Sequence, residues 1–116
     1  MAELKDVQES LVQQLTNSAW FGYPCGGTQA KERDLSHAVI GLSGETGELS
    51  ELIKKIVYRG KPHDTTEVLS ELGDVLWYLA ALTVLSGFTL EEVWQYNCTK
   101  LDHRRANGKN GKPWEG

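Results

Sequence analysis

Along the chain, apolar residues recur with a helical period, and nowhere do they alternate over a stretch long enough for a strand. Leu4, Val7, Leu11 and Leu15 fall three or four residues apart, with Lys5, Asp6, Gln8, Glu9 and Gln13 on the other faces. An amphipathic helix is expected over residues 3–17. The period dissolves between Trp20 and Arg33, where Gly22, Pro24, Gly26 and Gly27 punctuate a segment carrying three aromatic rings, and a loop is expected there. It returns at Asp34, read as a helix cap, and continues to Tyr58 before Gly60 and Pro62 stop it. A third helix is expected from Asp64, with Glu67 three residues on as in a capping box, to Ser86 before Gly87. The fourth starts at Thr89, where Glu92 completes another capping box and Phe88 and Val93 are spaced as a hydrophobic staple. It runs to Arg105, and residues 106–116, rich in glycine and polar side chains, read as a mobile tail. The expected fold is all-α, a four-helix bundle in a single domain covering residues 1–116.

The third helix carries a further implication. Its second half, VLWYLAALTVL, is apolar nearly all round and must be buried on most sides. A 116-residue monomer offers little cover for such a helix. The bundle is therefore expected to be completed by self-association, as a dimer or a dimer of dimers.

Composition narrows the partners. The formal charge is -4 and no run of basic residues is present, which argues against a polymeric nucleic acid. Cys25 and Cys98 are too few and too far apart for a disulfide framework or a zinc site, so both are read as reduced thiols. The N-terminus lacks a basic segment followed by an apolar run, and no stretch approaches eighteen uninterrupted apolar residues. A cytoplasmic location without a membrane partner is the expectation.

Chemistry enters through carboxylates in the wrong place. At about 100° per residue, Leu42, Leu49, Leu52 and Ile56 share one stripe of the second helix; Glu45 projects into it, Glu48 lies along its edge and Glu51 points away. On the third helix Val68, Leu72, Val75, Leu79 and Leu82 form the stripe, bordered by Glu71 and Asp74. Four carboxylates facing a core need compensating charge. Solvation, or pairing with Lys54, Lys55 and Lys100, is the plain alternative. Oxygen-only ligands suit a hard cation, magnesium or manganese in its place, which keeps positions for water and substrate phosphates. Gly41, Gly44, Gly47 and Gly73, each unfavourable inside a helix, are read as allowing the helices to approach closely. Asn97, Lys100 and Arg104, at i, i+3 and i+7 of the fourth helix, present an amide and two cations on a face that suits phosphate.

The stretch HAVIGLSGETGELSELIKKIVYRGKP followed by EVLSELGDVLWYLAALTVLSGFTLEEVWQYNCTKLDHR resembles the MazG-like all-α nucleoside triphosphate pyrophosphohydrolases over residues His37 to Arg104. The paired E-x-x-E and E-x-x-D with a following N-x-x-K-L carry the likeness. The resemblance implies that Glu45, Glu48, Glu71 and Asp74 bind magnesium and that Tyr78, Asn97 and Lys100, with Arg104, contact the phosphates. It also implies cleavage between the α and β phosphates, and an oligomer in which helices of two chains complete each bundle. The tail RANGKNGKPWEG departs from the tyrosine-proline continuation common in that family, and the N-terminal third matches only loosely. Base recognition falls to Trp20, Phe21, Tyr23 or His37.

In-line attack by water on the triphosphate needs a proton acceptor; Glu48 is the first choice and Glu45 the second. Cys25 has no His and acid arranged around it as a nucleophile would, His63 and His103 read as exposed, and Trp77 and Trp94 read as packing residues. A ferritin-like di-metal site would show Glu-x-x-His pairs, and none is present. The remaining alternative is a non-catalytic helical module that binds a nucleotide or a partner helix.

Overall fold

Four helices follow one another in the order that the apolar period implies: α1 (Leu4–Thr16), α2 (Thr28–Tyr58), α3 (Thr65–Leu85) and α4 (Leu90–Asn107). The computed structural model describes residues 3–24 and 26–107, and among these there is no strand. Cys25 and residues 108–116, which make up most of the expected tail, lie outside the described residues.

The helix ends obey local rules. The Asp64 carboxylate accepts from the N–H groups of Thr66 and Glu67. Thr89 and Glu92 exchange both capping bonds, Glu92 N–H to Thr89 Oγ1 at 3.0 Å and Thr89 N–H to Glu92 Oε1 at 3.3 Å. After α3, Phe88 N–H reaches Thr83 O and Gly87 N–H reaches Val84 O, with Gly87 at φ 87°. This is the Schellman pattern, and the left-handed residue at its centre is a glycine because a Cβ is disfavoured there.

Two boundaries differ from the sequence reading. Helix α2 begins at Thr28, six residues before Asp34, because TQAKER contains neither glycine nor proline and consists mostly of good helix formers. Its first turns lack an apolar stripe since they cover only the loop. Asp34 is thus no cap but an interior residue, 2% exposed. At the other end Ala106 and Asn107 continue α4 rather than opening a tail.

Helices α2 and α3 run antiparallel, as the facing of Gly41 with Tyr78 and of Glu45 with Glu71 and Asp74 requires. The core lies where α1, the loop, α2 and the C-terminal half of α3 meet: Leu11, Leu15, Phe21, Ala38, Ala80, Ala81 and Leu85. Trp77 Nε1–H donates to Gln14 Oε1, and Leu90 N–H to Gln8 Oε1, each at 2.7 Å, tying α1 to α3 and to the start of α4.

One face of α3 has no such cover among the described residues. Leu72 and Leu79, expected to face inward, are 47% and 45% exposed, and Leu69 and Leu76 are exposed too. Within one chain α3 packs between α2 and α1, which leaves a third side open. By length and composition alone α3 could cross a membrane, and 22% of its most apolar window is buried. Its Glu71 and Asp74 turn towards Glu45 on α2. Helix α4 contacts α1 and α3, does not touch α2, and buries none of its residues fully.

Candidate metal site and aromatic cluster

Successive turns along one face of α2 carry His37, Gly41 and Glu45, spaced at i, i+4 and i+8. Glu71, Asp74 and Tyr78, at i, i+3 and i+7, share a face of α3 in the same way. The antiparallel pairing sets these rows against each other. Tyr78 lies on Gly41, where a Cβ would run into the ring. The close approach inferred from the glycines is thereby located at Gly41. Gly44, Gly47 and Gly73 face open space within the chain, so helix contact does not explain them here.

One turn further along the seam, Glu45, Glu71 and Asp74 bring one carboxylate oxygen each to within 4.8 Å of the others. Glu45 and Glu71 are half-buried and Asp74 is exposed. One oxygen of Glu45 and one of Glu71, both Oε2, are buried without a hydrogen-bond partner among the described residues. Among the described residues the ion pairs are Lys54–Glu51, Lys61–Glu67 and Arg105–Asp102, and none involves the four acids of the motif. Pairing of those acids with Lys54, Lys55 or Lys100 is therefore not what this fold does.

Desolvation is the first cause holding the Glu45 carboxyl above its usual range, followed by the charges of Glu48 and Asp74, a hydrogen bond with Glu48 and the charge of Glu71. Desolvation likewise raises Glu71, followed by the charges of Glu48, Asp74 and Glu67. Both shifts share two causes, partial burial of the carboxyl first and the convergence of like charges second. A hard divalent cation with carboxylate oxygens as ligands fits such a set, and the two unpartnered oxygens are where it would bind.

Glu48 is exposed and lies outside the three-oxygen group, although its charge acts on both glutamates. With Glu51, Leu52, Lys55, Lys61, Glu67 and Glu71 it lines a cavity of about 320 Å³ that opens beside the cluster.

The opposite end of the seam is aromatic. Phe21 stacks flat on His37, with ring centroids 4.6 Å apart and planes 3° apart. Tyr78 lies 6.4 Å from His37, and Trp77 packs edge-on against Tyr78 at 5.2 Å. Of the aromatic side chains expected at a base site, His37 and Phe21 meet here. Trp20 does not: it is 78% exposed and points away, because its neighbour Phe21 takes the inward position in the loop. Sequence reasoning had no means of choosing between adjacent rings in an aperiodic segment.

Asn97 and Lys100 are half-buried and Arg104 is exposed on α4, the helix that makes no contact with α2. The expected phosphate face is thus not brought to Glu45 and Glu48 within a single chain. The turn at Ser86–Gly87 directs α4 along α1 and α3 instead.

The MazG nucleotide pyrophosphohydrolase domain matches residues 34–108, well over half of the chain. The chain belongs to this family. All four motif acids, together with His37, Tyr78, Asn97, Lys100 and Arg104, fall inside the match, while Trp20 and Phe21 precede it. Gene 37 protein of Mycobacterium phage L5 is 37% identical over 91 residues, covering 74% of this chain and 79% of the phage protein. No solved structure matches. The family consists of all-α hydrolases acting on nucleotides, and the MazG domain here places its two acidic motifs face to face across α2 and α3.

Proposed function

We propose that this MazG domain hydrolyses ribo- or deoxyribonucleoside triphosphates to the monophosphate and pyrophosphate, with magnesium, or manganese in its place, as cofactor. The observation that carries the reading is the pair of buried, unpartnered oxygens on Glu45 and Glu71, converging with Asp74 in a chain of this family. Glu45, Glu71 and Asp74 would hold the cation, with Glu48 alongside. When bound it supplies positive charge against the phosphate oxygens and makes nearby water more acidic.

The chain's own residues supply the rest. Glu48, exposed beside the cluster, takes the proton from the attacking water, and Glu45 is the second candidate. Tyr78, one turn from Asp74, borders the path of the phosphates, and the Phe21–His37 pair receives the base. Asn97, Lys100 and Arg104 reach phosphate from a second copy, whose helices also cover the exposed leucines of α3. That second copy makes the active form a dimer or a dimer of dimers.

Pyrophosphate release across a panel of nucleoside triphosphates, with magnesium and then with excess chelator, tests the reaction. Strong metal-dependent release is expected. Binding without release would favour the non-catalytic module, and full activity in chelator would remove the metal from the scheme. Sedimentation at micromolar concentration tests the assembly: a stable folded monomer would rule it out.

A further inference from the structure

Asp34 has no part in the reaction above, yet it is the only charged side chain among the fully buried residues described, at 2% exposure. It lies three residues before His37 on α2. Among the described residues both of its carboxylate oxygens accept from one donor, the Gly22 N–H, at 3.0 and 3.2 Å. No ion pair among the described residues involves it. An ionised carboxylate is expensive to bury, and an apolar side chain would fill the same space without that penalty. The charge therefore marks a specific contact between helix and loop.

The donor identifies what is held. The Gly22 N–H belongs to the peptide that joins it to Phe21, so anchoring it fixes the backbone from which the Phe21 ring extends to His37. Packing holds the Phe21 ring in the core, but the peptide that follows it borders an open cavity of about 220 Å³, lined by Gly22, Tyr23, Lys31, Asp34, Val84 and Leu85 among others, so the Asp34 contact fixes the backbone there. Further along the loop, Gly26 approaches α2 so closely that a Cβ would run into Ala30. The loop is thus pinned at two points on the first turns of α2, one steric and one electrostatic.

We infer that Asp34 is a positioning residue for nucleobase recognition: it holds the Phe21–Gly22 peptide on α2 so that Phe21 lies flat on His37. His37, half-buried with Phe21 behind it, forms the wall against which the base is read. The inference rests on the triphosphate reading given above. It assigns specificity to a buried acid that touches neither base nor phosphate.

The test compares Asp34→Asn, which keeps the shape and one acceptor oxygen, with Asp34→Ala and Phe21→Leu. The His37 ring proton resonances, assigned with His37→Gln, report the stacked ring directly. Phe21→Leu removes its ring-current shift; Asp34→Ala is expected to move the resonances towards the same position and Asp34→Asn part of the way. If the alanine variant fails to fold, the isosteric asparagine variant decides.

In the same variants kcat/KM for a nucleoside triphosphate should fall about tenfold, as expected for loss of one stacking contact. For ribose 5-triphosphate, which lacks a base, it should stay within about twofold, since no stacking contact is there to be lost. His37 resonances unmoved in both Asp34 variants, or equal losses on the two compounds, would overturn the inference. A wild type inactive on both compounds would instead remove the hydrolase reading, and base recognition with it, while the His37 spectra would still establish whether Asp34 holds the loop.

Discussion

The two ends of the α2–α3 seam are built on the same backbone spacing and solve opposite problems. At the aromatic end every group has found a neighbour: Tyr78 rests on Gly41, Phe21 on His37, and Trp77 packs against Tyr78 while donating to Gln14. At the acidic end the helices bring together groups that repel, and two carboxylate oxygens are left buried with no partner among the described residues. The packed end sets the separation of the helices, and one turn away that separation imposes a repulsion which a cation would relieve. Close packing and charge repulsion are therefore divided along a single pair of helices.

The largest effect should follow from breaking the acidic end. Asp74→Asn or Glu45→Gln is expected to lower metal-dependent pyrophosphate release by more than about a hundredfold, since removing a ligand exceeds the 10- to 100-fold typical of its supporting partners. The same variants should fold as well as the wild type or better when no metal is present, because a repelling charge is gone. Release assays and metal-free melting curves measured side by side check both halves. Collapse of the metal-free variants would mean that the acids serve packing.

A smaller effect is expected on α4. Lys100→Ala should lose a charge-assisted contact to phosphate, about 1.5 to 3 kcal/mol in kcat/KM. Lys54, exposed and paired with Glu51 at 3.7 Å, is the control, with a change within about 0.5 kcal/mol. Equal small effects at both lysines would place the phosphate site elsewhere. Because α4 does not touch α2 within the chain, the Lys100 defect should also be rescued in mixed oligomers with an Asp74→Asn partner if the two residues act across subunits.

The smallest effect is a pH dependence. Glu45 and Glu71 have raised values in the folded state, so the folded chain binds more protons than the unfolded chain above the usual glutamate range. The contribution is fully present below the unfolded value and lost as pH rises through the folded values. Metal-free wild type should therefore lose stability with rising pH relative to Glu45→Gln or Glu71→Gln, and saturating magnesium should abolish the difference. Parallel melting curves from pH 4 to 8 would refute the shared repulsion.

Much of this is legible in the sequence. Gly60 and Gly87 stop helices where expected, with φ of 70° and 87°, and the Thr89–Glu92 box closes as its spacing implies. Such features depend on residues within one turn of each other, where backbone sterics and short hydrogen bonds leave few choices. The convergence of Glu45 with Glu71 and Asp74 was legible for a related reason: a fixed helical period projects each acid onto its stripe, and two stripes that bury apolar surface must meet.

What the sequence could not decide required contacts between distant segments. That Asp34 is an interior acid rather than a cap depends on a loop twelve residues earlier offering it an N–H. That Phe21 and not Trp20 meets His37 depends on the loop's path, which no periodicity encodes. The openness of Leu72 and Leu79, and the separation of α4 from α2, follow from which faces one chain has enough helices to cover. Local sequence determined the helices, most of their ends and the acidic stripes through short-range sterics and periodicity; the tertiary structure alone decided which groups were buried together, because burial is a property of the partners a surface finds.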